Sequence, residues 1–312
     1  MHWAWKKTVV KQLVPSTQEA ASEQKMARSL ITRIKKMNGP HVNVALAGSL
    51  ARNTHLRGDR DIDIFVFYPP SLKREKFEKE GLKLGHTVFG KNFHEEAYSE
   101  HPYVRGMIDG FNVEIVPTFQ VKKATEKLSA VDRTPFHAAY MKKKLSNKQC
   151  DEVRLLKAFF KHVHVYGADL RFQGVPGYLV ELLILQYGTF EKAVEEISHW
   201  KNNTVIDLER AYGNDAIALN HFHHSFLLIV DPTDATRNVA GALSYNQFAR
   251  IILACRVFMQ KPSAKFFNEE NEKPLSSAQL RFMLKKEELV GVHLPYPNGM
   301  LSDVMWGQLQ RL

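Results

Sequence analysis

From residue 61 to residue 68 the chain reads Asp-Ile-Asp-Ile-Phe-Val-Phe-Tyr, the segment that most narrows what this polypeptide can become. β-Branched and aromatic residues dominate it, which favours extended backbone, and Pro69-Pro70 closes it. Alternate side chains of a strand share a face, with residues two apart roughly 7 Å from one another. Asp61 and Asp63 therefore project together, while Ile62, Ile64 and Val66 line the opposite face. Two carboxylates this close repel, and both ionise comfortably only with a cation between them. Mg²⁺ suits such a place, because it takes carboxylate oxygens together with substrate phosphates.

The flanking sequence builds a setting for that pair. Ser16-Thr-Gln-Glu19 has the spacing of a capping box, and Ala20, Met26, Leu30, Ile34 and Met37 follow at helical intervals until Asn38-Gly39-Pro40. A strand is predicted over His41 to Ala47, then a turn and short helix from Gly48. Glycine there lets backbone approach a ligand, free N–H groups at a helix start favour an anion, and Arg52 can add a bidentate phosphate contact. Gly48, Ser49 and Arg52 beside Asp61 and Asp63 describe nucleotidyl transfer assisted by two metals. Such a site needs a third carboxylate from a neighbouring strand. Helical spacing returns over Leu72 to Leu84, and short strands follow around Tyr103 to Asp109 and Asn112 to Pro117. They are joined by the hairpin signal Asp109-Gly110, and the second strand offers Glu114. Acids alternating with apolar residues are ordinary on a half-exposed strand, and only the combination points to catalysis.

From about Asp132 helical spacing takes over, at Lys148 to Tyr166, Tyr178 to Gln186 and Phe190 to Trp200. A strand at Phe226 to Val230 and a helix from Tyr245 to Met259 follow. Beyond Pro262-Ser263, Ser276 to Glu287 reads as helix and Leu289 to Leu294 as strand. With 312 residues, two compact domains and a fragment of a third are expected. Lys and Arg number 43 against 33 Asp and Glu, a surplus of +10 that favours a polyanionic partner. The two cysteines, Cys150 and Cys255, are too few for a disulfide framework or a zinc site. No apolar run approaches the roughly 18 residues of a membrane span. The longest, Leu179 to Leu185, is interrupted by Glu181. A soluble, cytoplasmic protein is expected.

The motifs then acquire a resemblance. Gly48-Ser-Leu-Ala-Arg-Asn-Thr54, Asp61-Ile-Asp-Ile-Phe65, Glu100-His-Pro-Tyr103 and Val131-Asp-Arg-Thr-Pro-Phe-His137 are similar to those of the class I, archaeal-type CCA-adding enzymes. So are Glu152-Val-Arg-Leu-Leu-Lys157, Tyr166-Gly-Ala168, Gly177-Tyr-Leu-Val-Glu-Leu-Leu183, Val230-Asp-Pro232 and Arg237-Asn-Val-Ala240. The resemblance implies an α+β fold: a polymerase-β-like nucleotidyltransferase head over 1–140, with a mixed sheet and flanking helices. A mainly helical central domain over 141–262 and a partial α/β body segment over 263–312 would follow. It implies CTP and ATP as substrates, two Mg²⁺ ions, and the acceptor arm and 3′ end of tRNA as partner. Asp61, Asp63 and Glu114 would hold the metals, and Gly48, Ser49 and Arg52 the triphosphate. Thr134, His137, Lys157 and Tyr166 match positions contacting phosphate and sugar, and Arg237 matches the arginine facing the incoming base. Lys157 and Tyr166, nine residues apart, are expected on one face of one helix.

Two departures qualify the resemblance. The family carries Glu-x-Asp and then Asp where this chain has Asp61, Asp63 and Glu114, exchanging one methylene between two carboxylates. The similarity also stops near Trp306-Gly-Gln-Leu-Gln310, before the tail that grips tRNA: either the chain is part of a longer enzyme or a second polypeptide supplies the tail, and a homodimer is the other association expected. A poly(A)- or oligoadenylate-type nucleotidyltransferase, and an RNA-binding subunit without chemistry, are the competing readings. His221, His223 and His224 lack an acid or cysteine at ligand spacing and read as a solvated loop.

Overall fold

The computed structural model describes residues 3–38, 42–267, 276–284 and 302–309. Helices α1 (Lys6–Leu13) and α2 (Thr17–Asn38) come first. The capping box closes α2 as expected: Glu19 N–H donates to Ser16 Oγ at 3.2 Å, and Ser16 N–H to the Glu19 carboxylate at 2.7 Å. Next come β1 (Asn43–Leu46), the one-turn α3 (Gly48–Ala51), β2 (Asp61–Tyr68) and α4 (Arg74–Phe89). Strands β3 (His94–Tyr98), β4 (Pro102–Ile108) and β5 (Phe111–Phe119) complete the head.

These strands form one mixed sheet in the order β1-β2-β5-β4-β3, in which β2 and β5 run parallel and the other pairs antiparallel. Ile62, Ile64, Val66, Val113 and Ile115 on one face are buried with Ala27, Leu30 and Ile34 of α2 and Leu84, Val88 and Phe89 of α4. The hydrophobic effect thus places the apolar face under two helices and leaves the acidic face of β2 for something else. Sequence patterning does not foresee β3. Its His-Glu-Glu-Ala-Tyr lacks apolar alternation because it is an edge strand, paired only with β4 and protected by charge.

The second region comprises α5 (Thr134–Lys144), α6 (Asn147–His162), α7 (Gly177–Tyr187), α8 (Phe190–Ser198) and β6 (Thr204–Ile206). It continues with α9 (Asp215–His221), β7 (Leu227–Asp231), β8 (Asp234–Asn238) and α10 (Tyr245–Gln260). Its core gathers Phe159 and Phe160 of α6, Leu182 and Leu183 of α7, Phe190 and Val194 of α8, and Phe258 of α10. Trp3, Trp5 and Val9 from the chain start join this core, with Trp3 edge-on to Phe258 at 5.3 Å. A mixed-sheet head with flanking helices followed by a mainly helical region is the α+β, polymerase-β-like arrangement the motifs imply. Two further helices, α11 (Ser277–Met283) and α12 (Ser302–Leu309), are described beyond it. The predicted strand at 289–294, the last residues of the helix predicted to Glu287, and the stop at Gly39-Pro40 lie outside the described residues.

One expectation is overturned. The helix predicted through Tyr166 ends at His162, so Lys157 and Tyr166 do not share a helix face. Val163 N–H closes the last turn on the Phe159 carbonyl, and His164 adopts the left-handed region at φ 56°. The chain thereby reverses and Val165 enters the core, fully buried. Neither glycine nor proline marks this stop; burial of Val165 sets it. The histidine run is exposed as expected but only partly in a loop: His221 ends α9, while His223 and His224 lie between α9 and β7, both at positive φ.

Candidate active site

The parallel register of β2 and β5 sets Asp63 beside Glu114 and Asp61 beside Asn112, all on the sheet face opposite the first core. The turn between β1 and α3 closes over them. Gly48 sits at φ +65°, and a Cβ there would fall 1.6 Å from Asp63 Oδ2. Only glycine lets this turn lie against the carboxylate. A cavity of about 410 Å³ follows, lined by Gly48, Ser49 and Arg52 of the turn and by Asp61, Asp63 and Glu114 of the sheet. Lys157 of α6, Tyr166, and Tyr178 and Glu181 of α7 line it from the helical region.

Burial pushes the Asp63 carboxyl up to about 6, with Asp61 adding to the rise and Arg52 and Lys157 opposing it. Burial likewise pushes Glu114 up to about 7, reinforced by Asp63 and opposed by Arg105. Among the described residues none of the three carboxylates is ion-paired, and Asp61 accepts a single hydrogen bond, from Asn112 Nδ2 at 2.9 Å. The cluster therefore fits a divalent cation, which would relieve both the burial and the repulsion. Among the described residues no group of three or more His, Cys, Asp or Glu side chains is placed to hold a metal ion by itself. A hard cation that completes its shell with water and phosphate oxygens needs no such group.

The other wall carries cations. Lys157 Nζ lies 3.0 Å from Asp59 Oδ2 and 5.5 Å from the centre of the Tyr166 ring, so the loop after α6 brings together what one helix face does not. Arg52 and Thr54 bond to Glu181. A smaller cavity of about 220 Å³ shares Tyr178 with the first and is lined by Thr134, His137, Arg133 and Arg237. There His137 Nε2 lies 2.8 Å from Asp231 Oδ2, Arg237 Nη1 donates to the same oxygen at 2.9 Å, and the His137 ring stacks on Tyr178 at 3.9 Å. Burial lowers His137. Burial alone would raise Asp231, but hydrogen bonds from His137 and Thr233 outweigh it and hold that carboxyl well below the usual range.

Gly48, Ser49, Arg52, Asp61, Asp63, Glu114, Lys157 and Tyr166 thus meet in one cavity, and Thr134, His137 and Arg237 in the adjoining one. Asn112, Asp231 and Glu181 were not foreseen as site residues. Glu181 did leave a trace in the sequence, as the single acid in the apolar run of α7.

Residues 27–137 match the model of the nucleotidyltransferase domain, and residues 151–268 that of the tRNA nucleotidyltransferase second domain. The CCA-adding enzyme of Methanocaldococcus jannaschii is 36% identical over 319 residues, covering 98% of this chain and 69% of the relative. That of Halorubrum lacusprofundi is 41% identical over 273 residues, covering 86% of this chain and 56% of the relative. The chain thus spans between about half and two thirds of the length of these relatives. Among solved structures, a Cid1 poly(U) polymerase superposes with a TM-score of 0.64 at 13% identity, covering 86% of this chain and 100% of that one. CdnC of E. coli gives 0.59 at 16% identity, covering 84% and 94%; these two share the fold. With both domain models in order along the chain and a relative at 36% identity aligned over 98% of the chain and 69% of its own length, the chain belongs to the family of CCA-adding enzymes.

Proposed function

We propose that this chain carries the catalytic centre for CCA addition, transferring C, C and A from CTP and ATP to the 3′ end of tRNA in the cytoplasm. The observation that supports it best is the Asp63–Glu114 register pair beneath the Gly48-Ser49 turn, in a cavity whose far wall supplies Lys157 and Tyr166. Asp61, Asp63 and Glu114 are the residues that would hold two Mg²⁺ ions. When bound, such ions supply charge neutralisation at the attacking and leaving oxygens. Ser49 and Arg52 take the triphosphate, Arg52 through a guanidinium suited to two phosphate oxygens. Lys157 adds a point charge beside it, and Tyr166 offers a ring and hydroxyl to the sugar. Thr134 and His137 extend the polar wall, and Arg237, aligned by Asp231, presents N–H donors to the base. The terminal tRNA hydroxyl attacks the α-phosphorus and gives up its proton to solvent, the bond from that phosphorus to the α,β-bridging oxygen breaks, and pyrophosphate leaves with its β,γ-bridge intact. The +10 surplus suits the tRNA backbone.

The test is incubation of the chain with tRNA lacking its 3′ end, Mg²⁺ and labelled CTP and ATP. Growth by C, C and A with arrest there is expected. No incorporation, or a long adenylate product without use of CTP, overturns the proposal.

A pH dependence follows from the carboxylates. Their folded values lie above the unfolded ones, so the metal-free fold loses stability as pH rises through about 6 to 7. A divalent ion displaces those protons and removes that penalty. Millimolar Mg²⁺ should therefore raise the melting temperature at pH 8 and leave it nearly unchanged at pH 5. A shift of equal size at both values would exclude these carboxylates as the binding groups.

A further inference from the structure

The proposed chemistry leaves one buried carboxylate of the cavity without a role. Glu181 is 1% exposed, and Arg52 Nε sits 2.8 Å from each of its oxygens. Thr54 Oγ1 donates to Oε1 at 2.6 Å. Among the described residues Oε2 has no hydrogen bond of its own, which leaves Arg52 as the counter-ion of this carboxylate. Arg52 also lies close enough to Asp63 to favour its ionised form. One arginine thus stands between a carboxylate on α7 and the carboxylates of the sheet, and where it settles decides what remains for a ligand.

A guanidinium has two hydrogen-bonding edges. With Nε engaged by Glu181, the Nη nitrogens remain for a second anion. We propose that Glu181 is a positioning residue for Arg52, holding the guanidinium away from Asp63 and reserving its Nη groups for nucleotide phosphate. This rests on the reading of the cavity as a nucleotide site. Without Glu181, Arg52 swings onto Asp63, so the phosphate loses its partner and the divalent cation meets a competing charge. Glu181 touches none of the reacting atoms and acts through Arg52.

The test is a double-mutant cycle on the full chain with Arg52→Ala, Glu181→Gln and the pair. CTP affinity is measured by calorimetry, and Mn²⁺ affinity of the nucleotide-free protein by paramagnetic resonance. Charge-assisted hydrogen bonds of this kind correspond to roughly ten- to a hundredfold in affinity, so each single variant should bind CTP that much more weakly. The double variant should bind CTP no more weakly than Arg52→Ala. Mn²⁺ affinity should fall in Glu181→Gln and return in the double variant, because Arg52 is no longer there to cover Asp63. A merely structural Glu181 gives no such return. Should Glu181→Gln not fold, Arg52→Lys serves instead: one ammonium cannot serve carboxylate and phosphate through separate edges, and the same loss of CTP affinity is expected. Additive losses, or Mn²⁺ affinity unchanged by Glu181→Gln, overturn the proposal. CTP affinity unchanged in Arg52→Ala instead overturns the nucleotide site beneath it.

Discussion

Asp63→Asn should lower nucleotide incorporation by roughly a thousandfold or more, the loss expected when several kcal/mol of metal-mediated charge stabilisation leave the transition state. The substitution keeps volume and removes one negative charge. Asp63 adjoins Glu114 through the parallel register and Gly48 through the turn, so every element of the site converges on it. Affinity for tRNA should stay within about twofold, because phosphate contacts by Lys and Arg dominate RNA binding. The metal-free protein should melt no lower than wild type. Burial and the charge of Asp61 hold the Asp63 carboxyl at about 6, so a neutral amide removes a penalty. Activity lost without stability lost separates a catalytic role from a structural one. Single-turnover incorporation on tRNA lacking CCA, beside a thermal melt, decides it, and near-wild-type rates would remove Asp63 from the mechanism.

Strands β2 and β5 were legible because period-two alternation is strongest where one face is buried and the other carries function. Ile62, Ile64 and Val113 mark the core side, while Asp61, Asp63 and Glu114 mark the other. Strands β3, β6 and β8 were not legible, because β3 and β8 carry polar or charged residues at most positions and β6 is only three residues long. The end of α6 was missed for another reason. Its stop depends on Val165 finding a place in the second core, a tertiary event with no local signal. The pairing of Lys157 with Tyr166 survived this error because a loop supplied the proximity assigned to a helix. Asp231 and Glu181 were hidden differently: buried polar residues look like misplaced charges until their partners are known. Glu181 partners Arg52 and Thr54, more than 120 positions earlier, a separation that no local pattern encodes.

The loop between α3 and β2 explains why the second large effect should fall on a residue outside the cavity. Most of its polar anchors reach the helical region: Arg52 and Thr54 to Glu181, Asp59 to Lys157 and Lys161, and Asn53 and the His55 carbonyl to Arg154, while the His55 ring meets Glu23 and Arg57 meets Glu19 on α2. Arg154 donates Nε to the His55 carbonyl at 2.9 Å, Nη2 to Asn53 Oδ1 at 2.7 Å and Nη1 to Asp151 at 2.8 Å, with its side chain 3% exposed. Asn53 sits at φ 56°, in the left-handed region that asparagine tolerates better than most residues. Arg154→Met fills most of the volume but strands a buried carbonyl and a part-buried amide oxygen, while Asp151, whose side chain is 40% exposed, turns to water. A loss of about 3–5 kcal/mol is expected, as for other buried charged hydrogen-bond networks broken on one side. Arg154→Lys should rescue little, because one ammonium cannot meet three acceptors in the plane of a guanidinium. Nucleotide affinity should fall even at temperatures where the variant is folded, since the freed loop carries Arg52. Urea unfolding read by tryptophan fluorescence measures the first effect and CTP titration at low temperature the second. A destabilisation below about 1 kcal/mol, within the range of an ordinary surface substitution, would mean that the contacts to Glu181, Lys157 and Glu23 hold the loop without Arg154.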